Sequence, residues 1–128
     1  MLDTNFLTVP ARFGVDIFSE AERILDRRLE FVVLRSVVQE LERKQAMASR
    51  TEVKQFRVAL SLVDRCRVEE TEPDDDQSVD DQLLEHTKSI GGVLATNDRD
   101  LRDRAVSLGV PVLILRSKKR LEFVGTLF

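Results

Sequence analysis

Three short, unbroken apolar runs set the terms for this chain: Phe31-Val32-Val33-Leu34, Val93-Leu94-Ala95-Thr96 and Val110-Pro111-Val112-Leu113-Ile114-Leu115. They are too brief for core helices. Hydrophobicity without alternation marks strands covered on both faces, and Pro111 falls at the start of its run, where a missing donor is tolerated. Between the runs the period changes. Over 16–28 the residues Ile17, Phe18, Ala21, Ile24 and Leu25, with Leu29 just beyond, recur at helical spacing, and Ser19-x-x-Glu22 offers a capping box. Ser36-x-x-Gln39 opens a second helix with Val37, Val38 and Leu41 on one face. A long amphipathic helix over 51–66 turns Val53, Phe56, Ala59, Leu60 and Val63 inward. Ser78 caps a helix through 89 that Gly91-Gly92 stops, and a helix over 98–108 ends at Gly109.

Met1 and Leu2 read as the stub of a strand that closes at Asp3. The Asp-rich stretch around Pro73 reads as a loop, and 121–128 as an edge strand or a docking tail. Strands alternating with helices, with no hairpin signal between them, predict an α/β fold: one domain over 1–128, with a parallel sheet and helices on both faces. In such sheets ligands bind beyond the strands' carboxyl ends.

Composition limits the chemistry available there. Cys66 and His86 are the only residues of their kinds, which excludes an intrachain disulfide, a cysteine-built zinc site and any multi-histidine metal site. A Ser-His-Asp arrangement would have to use His86, which reads as a helix-surface residue; Cys66 reads as a small buried or half-buried one. A metal here must be held by carboxylates, which favours Mg²⁺ or Mn²⁺. With 20 Lys and Arg against 23 Asp and Glu, the net charge of -3 argues mildly against a nucleic-acid binder. The distribution says more. Residues 69–81 carry eight acids and no base, whereas Arg116, Lys118, Lys119 and Arg120 are opposed only by Glu122. That division fits an acidic metal site beside a basic rim for phosphate, and it also fits a solvated loop and a charged tail. No apolar run approaches the roughly 18 residues that span a bilayer, and no signal-peptide pattern opens the chain. The expectation is a cytoplasmic protein without a membrane span.

The acids fall where ligands bind. Asp3 follows the first strand, Glu40 lies about a turn into the helix after the second, and Asp98 follows 93–96 with Asp100 two residues on. Asp80 and Asp81 open the helix capped by Ser78. Each alone has a plain structural reading as a cap, a first-turn acid or a surface residue. Together they would repel and raise one another's pKa, a penalty that a divalent cation removes. One such ion, or two about 4 Å apart, can activate water against a phosphodiester. Asn5 and Thr96 stand beside these acids as neutral groups able to orient them.

In this order and spacing, Asp3-Thr4-Asn5, Val37-Val38-Gln39-Glu40-Leu41, Val79-Asp80-Asp81-Gln82-Leu83-Leu84 and Thr96-Asn97-Asp98-Arg99-Asp100-Leu101 resemble the PIN-domain family of metal-dependent ribonucleases. Gly109-Val110-Pro111-Val112 with Leu115-Arg116 fits as well, so the resemblance covers nearly the whole chain. It is nearest to archaeal single-domain PIN proteins, VapC-type toxins and PIN nucleases that process ribosomal RNA. The resemblance implies a parallel sheet of order 3-2-1-4-5 and a catalytic set of Asp3, Glu40, Asp81 and Asp98. It implies Mg²⁺ or Mn²⁺ held by Asp3, Asp81 and Asp98 with Asp100, and auxiliary roles for Asn5, Asp80 and Thr96. Asp81 is taken over Asp80 because a polar residue and an apolar pair follow it. The implied activity is endoribonucleolytic hydrolysis by metal-activated water, leaving a 5′-phosphate and a 3′-hydroxyl. The implied partners are RNA, an antitoxin or a ribosome-assembly factor, and a second copy of the chain.

The chain has no Trp, no Tyr and seven Phe that read as core, so RNA would be held by phosphate contacts rather than base stacking. The candidates are Arg12, in the short loop after Asp3, with Arg99, Arg102, Arg116, Lys118, Lys119 and Arg120. Two other readings of an Asp after a strand fail. A haloacid-dehalogenase-type phosphatase needs a second Asp where Asn5 stands, and a receiver domain needs an acceptor Asp where Phe31–Leu34 runs into Arg35-Ser36. The remaining rival is a PIN fold serving as an RNA-binding or assembly subunit with little turnover.

Overall fold

Residues 1–3 are the hinge of the architecture although they are barely a strand. In the computed structural model, which describes residues 1–72 and 76–125, Leu2 N donates to Val32 O at 3.0 Å on one side. On the other, Ala95 N donates to Met1 O at 2.8 Å and Asp3 N to Ala95 O at 3.1 Å. The described elements, in chain order, are α1 (Val9–Phe13), α2 (Ile17–Leu25), β1 (Val32–Leu34), α3 (Arg35–Met47), α4 (Val53–Leu62) and β2 (Arg67–Glu69). They continue with α5 (Val79–Ser89), β3 (Leu94–Ala95), α6 (Arg99–Ser107), β4 (Val112–Arg116) and β5 (Arg120–Val124). Strand β1 pairs in parallel with β2, β3 in parallel with β4, and β4 antiparallel with β5. The bonds of residues 1–3 join these two ladders, and Leu2 bridges Ala95 in parallel. The hydrogen-bonded order is therefore β2, β1, residues 1–3, β3, β4, β5.

The α/β fold and its parallel core follow the sequence reading, with several local differences. The helix expected over 16–28 is capped by Asp16, whose carboxylate accepts from Phe18 N and Ser19 N, so Ser19 is inside the helix rather than its cap. It stops at Leu25 because Asp26 is left-handed at φ 52° and Glu22, expected in the box, accepts from Leu29 N instead. Ser36 forms no box either: helix α3 starts at Arg35, and Ser36 N donates to Thr71 Oγ1. The long helix over 51–66 ends at Leu62 and tightens into a 3₁₀ turn, Val63–Arg65; only Ala59 on it is fully buried. Strand β2 is not expected from the sequence, since Arg67-Val68-Glu69 offers one apolar residue between charges. It is an edge strand that buries little.

Helix α1 and the 3₁₀ turn Phe6–Thr8 replace the loop expected after Asp3, which puts Arg12 in the last turn of a helix. The tail resolves into β5, a hairpin return; 126–128 and the Pro73 loop at 73–75 lie outside the described residues. Gly125 at its end could be no other residue without movement, as a Cβ there would meet Pro111 Cβ at 2.8 Å.

The core is one cluster that includes Phe6, Leu7, Ile17, Leu34, Leu41, Leu83, Leu94 and Leu101, all fully buried. Burying each such side chain stabilises the fold by about 1.5–3 kcal/mol. Leu83 and Leu101 also position acids. Each lies three residues after an Asp (Asp80 and Asp98) in the first turn or at the cap of its helix, so core packing fixes the helix N-termini at the sheet's carboxyl edge.

Candidate active site

Asp3 is where the sheet's central chain ends, and the residue is only 6% exposed. Its two oxygens are separately occupied. Oδ1 accepts from Phe6 N at 2.8 Å, and Oδ2 accepts from the hydroxyl of Thr96. Thr96 is fully buried at the end of β3, and its Oγ1 also accepts from Asp98 N at 3.0 Å. One hydroxyl therefore ties the Asp3 carboxylate to the backbone of Asp98. Asp98 caps α6, its Oδ1 accepting from Leu101 N at 3.1 Å. Next to it Asn97 Oδ1 accepts from Leu115 N at 2.9 Å, pinning this turn to β4. Burial pushes the Asp3 carboxyl up to about 6. The bonds from Thr96 and Phe6 oppose that shift, and the charges of Asp80 and Asp98 add to it.

The acidic pair on α5 divides its labour. Asp81 is the N3 residue of a capping box: Ser78 N donates to its Oδ2 and Asp81 N to Ser78 Oγ, both at 3.1 Å. Its Oδ1 takes a bond from Arg104 Nη2 at 2.5 Å, so Arg104 and the cap hold this carboxyl below its usual range. Asp80 instead feels the site. Partial burial raises its carboxyl first, then the charge of Asp98; Arg104 opposes, and Glu40 and Asp81 add smaller upward pushes. Asp80 thus feels the charges of Asp98 and Glu40 and acts on Asp3, while the Asp81 carboxylate turns to Ser78 and Arg104. The signal is present in the sequence: Ser78-Val79-Asp80-Asp81 is itself a Ser-x-x-Asp box, which uses the second acid and leaves the first.

Glu40 enters from α3 with Lys44 one turn on, Nζ lying 3.3 Å from Oε1. The same ammonium is 3.5 Å from Oδ1 of exposed Asn5. The sequence reading does not single out Lys44, although its four-residue spacing from Glu40 is the usual mark of a helical ion pair. Arg104 escapes it for a better reason, since nothing local connects it to Asp81.

Other expected site residues are more loosely placed. Asp100 is exposed in the first turn of α6, and no hydrogen bond or ion pair joins it to the other acids among the described residues. Arg12 lies with its guanidinium 4.7 Å from the Phe13 ring centroid, and Lys118 approaches the same ring at 5.9 Å. Arg116 pairs with Glu122, while Arg99, Lys119 and Arg120 are exposed. His86 is half-buried in the last turn of α5, at the helix end remote from the acids. Burial pushes the Cys66 thiol up to about 11, so it is not a reactive thiolate.

The donor set is hard oxygen throughout, as Mg²⁺ or Mn²⁺ requires, and a carboxyl raised by burial first, with a further push from its acidic neighbours, is one a cation would relieve. The residues fit such an ion chemically. As they stand, no three His, Cys, Asp or Glu side chains among the described residues form a group that could hold a metal ion. The acids press on one another through space without closing a cage. Mg²⁺ sites commonly use one or two carboxylates and keep several waters.

A buried Asp at the end of the central chain, bonded to a Thr that also holds an Asp at a helix cap, can be set beside known proteins. Residues 1–118 match the PIN-like domain family. The chain belongs to that family. It is similar to Ribonuclease VapC9 of Archaeoglobus fulgidus, with 32% identity over 120 residues, covering 94% of this chain and 84% of the relative. It is also similar to Ribonuclease VapC4 of Methanocaldococcus jannaschii, with 29% identity over 126 residues, covering 96% and 94%. Among solved structures, that of the PIN domain endonuclease Utp24 superposes with a TM-score of 0.74 over 99% of this chain and 92% of the other, at 23% identity. That likeness speaks to the fold. The PIN-like fold accounts for the α/β sheet, at whose carboxyl edge ligands bind in folds of this kind.

Proposed function

We propose that this PIN-like chain is an endoribonuclease that hydrolyses RNA phosphodiesters with Mg²⁺ or Mn²⁺, in the manner of the VapC ribonucleases it resembles. The carrying observation is Asp3: a carboxylate buried at the central strand end and positioned by Thr96 and Phe6 N, whose pKa is raised by burial and pushed further by the charges of Asp80 and Asp98. The divalent ion supplies charge neutralisation at the phosphodiester and a more acidic water. Asp3, Asp98 and Asp80 are the residues that would hold it, with Glu40 beside them and Asp80 in the place that the family resemblance gives to Asp81. Thr96 orients two of these acids, and Lys44 fixes Glu40 against Asn5. Asp81 and Arg104 brace the N-terminus of α5. Asp100, which the family resemblance sets among the metal-holding residues, takes an auxiliary role at the outer rim, and Arg12, Arg99, Arg116, Lys118, Lys119 and Arg120 contact phosphates.

In this reading the protein is a one-domain cytoplasmic toxin or processing nuclease that pairs with a second copy and with an antitoxin or assembly partner. Among the described residues no helix is long and apolar enough to cross a membrane.

The test is incubation with a labelled structured RNA and Mn²⁺, beside Asp3→Asn, Asp98→Asn and an EDTA control. Cleavage by wild type, lost in both variants and with EDTA, is expected, with products ending in a 5′-phosphate and a 3′-hydroxyl. RNA binding without cleavage over a panel of structured RNAs would favour the assembly-subunit reading instead.

A further inference from the structure

We infer that the groove between α6 and the β4–β5 hairpin is a track for the sugar-phosphate backbone of single-stranded RNA, leading away from Asp98. The inference rests on the nuclease reading above and gives its substrate a path. The groove has a volume of about 570 Å³, and its walls carry Arg99 and Arg102 on one side and Arg116 on the other. Residues 99, 102 and 106 recur at helical spacing, so one face of α6 presents the two guanidiniums and Val106 to the groove. Ile114 and Val124 from the hairpin complete an apolar floor.

Three features point to a nucleic-acid backbone. The first is position. Arg99 directly follows the cap Asp98, and Asn97 holds this turn to Leu115, one residue before Arg116, so the groove opens at the acidic edge where a scissile phosphate has to lie. The second is charge. Asp103 offsets Arg102 at 3.5 Å and Glu122 offsets Arg116, but no ion pair engages Arg99 among the described residues. Arg116 and Glu122 are about half exposed and Arg102 is half-buried against an exposed Asp103, so both pairs reach solvent and exchange for phosphate. The third is the lining. Aliphatic side chains suit ribose, and among the described residues no aromatic ring lines the groove to offer bases a stacking platform, so recognition follows the backbone rather than the sequence. The nine residues of α6 run about 14 Å. An acidic peptide would meet the same arginines but gains nothing from lying beside Asp98.

The experiment measures binding of labelled ten-nucleotide RNAs in EDTA by fluorescence anisotropy over a salt series, and cleavage of the same RNAs and of a dinucleotide with Mn²⁺. Proteins are the wild type, Arg99→Ala/Arg102→Ala, Arg102→Lys, and Arg57→Ala on the exposed face of α4 as a control. The double variant should weaken binding roughly tenfold and lower the salt slope by about 1.4, near 0.7 for each phosphate that is no longer neutralised. Its preference for the long RNA over the dinucleotide should shrink likewise, Arg102→Lys should retain most of the affinity, and Arg57→Ala should behave as wild type. Wild-type binding and cleavage with an unaffected double variant would overturn the groove and leave the nuclease reading standing. Failure of the wild type to bind or cut any RNA would overturn both.

Discussion

Two charged regions of this molecule obey opposite rules. At the carboxyl edge of the sheet, Asp3 is buried and receives its bonds from a hydroxyl and a backbone amide, while other carboxylates crowd it. At the β4–β5 hairpin, basic residues stand in solvent, and Arg116 meets Glu122 across the strands. A fold gains nothing from the first arrangement and loses almost nothing by the second. The difference separates charge kept for chemistry from charge kept for solubility or for a ligand. Asp3→Asn tests this most severely, because activity and stability should move in opposite directions. The folded-state carboxyl titrates near 6, above its ordinary value of 3.8. Its contribution to stability is therefore full below about pH 4 and lost as pH rises through 6. At pH 7 in EDTA, Asp3→Asn should be more stable than wild type by on the order of 3 kcal/mol, a gap that closes towards pH 4. Urea unfolding at the two pH values measures it, while cleavage by the variant should fall to background. Equal stability at both pH values would remove the contrast between the two regions.

The comparison sharpens within α5, where adjacent residues have the two fates. Asp80→Asn should cost at least about 100-fold in kcat, since the proposed function has its carboxylate hold the metal. Asp81→Asn should cost about tenfold or less, acting only through the cap and Arg104. Parallel single-turnover cleavage assays decide it, and the reverse ranking would restore Asp81 to the site. Thr96 is the next point of attack. Thr96→Val keeps the shape but leaves Asp3 Oδ2 and Asp98 N without their shared partner, a loss of about 1–3 kcal/mol in thermal or urea unfolding. Thr96→Ser should restore both stability and turnover, which separates positioning by the hydroxyl from simple packing.

How much of the fold and site is legible in the sequence follows the same line between local and non-local causes. The apolar runs predict β1, β3 and β4 because full burial writes itself into consecutive residues. Ser78 and Gly109 are readable because caps and left-handed stops act within a few residues; Gly109 sits at φ 75°. Strand β2 is not, since an edge strand between charged residues is stabilised by its partner β1 rather than by its own sequence. The boxes at Ser19 and Ser36 satisfy a pattern that tertiary structure overrides, through Asp16 in one case and Thr71 in the other. At the site, the candidate acids can be named, but telling the roles of Asp80 and Asp81 apart requires asking which of them Ser78 uses. The Arg104–Asp81 bond joins residues 23 apart in sequence, and no local pattern announces it.

The hairpin provides the smallest effects and closes the comparison from the other side. Its turn runs through Ser117 at φ 55° and Lys118 at φ 58°, closed by Lys119 N donating to Arg116 O at 3.1 Å. Two successive left-handed residues without a glycine strain this three-residue connection, 117–119, because such conformations favour Gly or Asn. Ser117→Gly should relieve part of that strain and stabilise the protein by about 0.5–1 kcal/mol, visible as a rise in Tm. Glu122→Gln breaks the partner of Arg116 and should shift stability by less than about 0.5 kcal/mol, because both side chains are roughly half exposed and the freed guanidinium is rehydrated. If Arg116 contributes to the groove beside α6, the same change should tighten RNA binding by removing the competing carboxylate. A surface pair that is silent in unfolding and audible in binding would place the hairpin's charge with the substrate, just as a destabilising Asp3 places its charge with the chemistry.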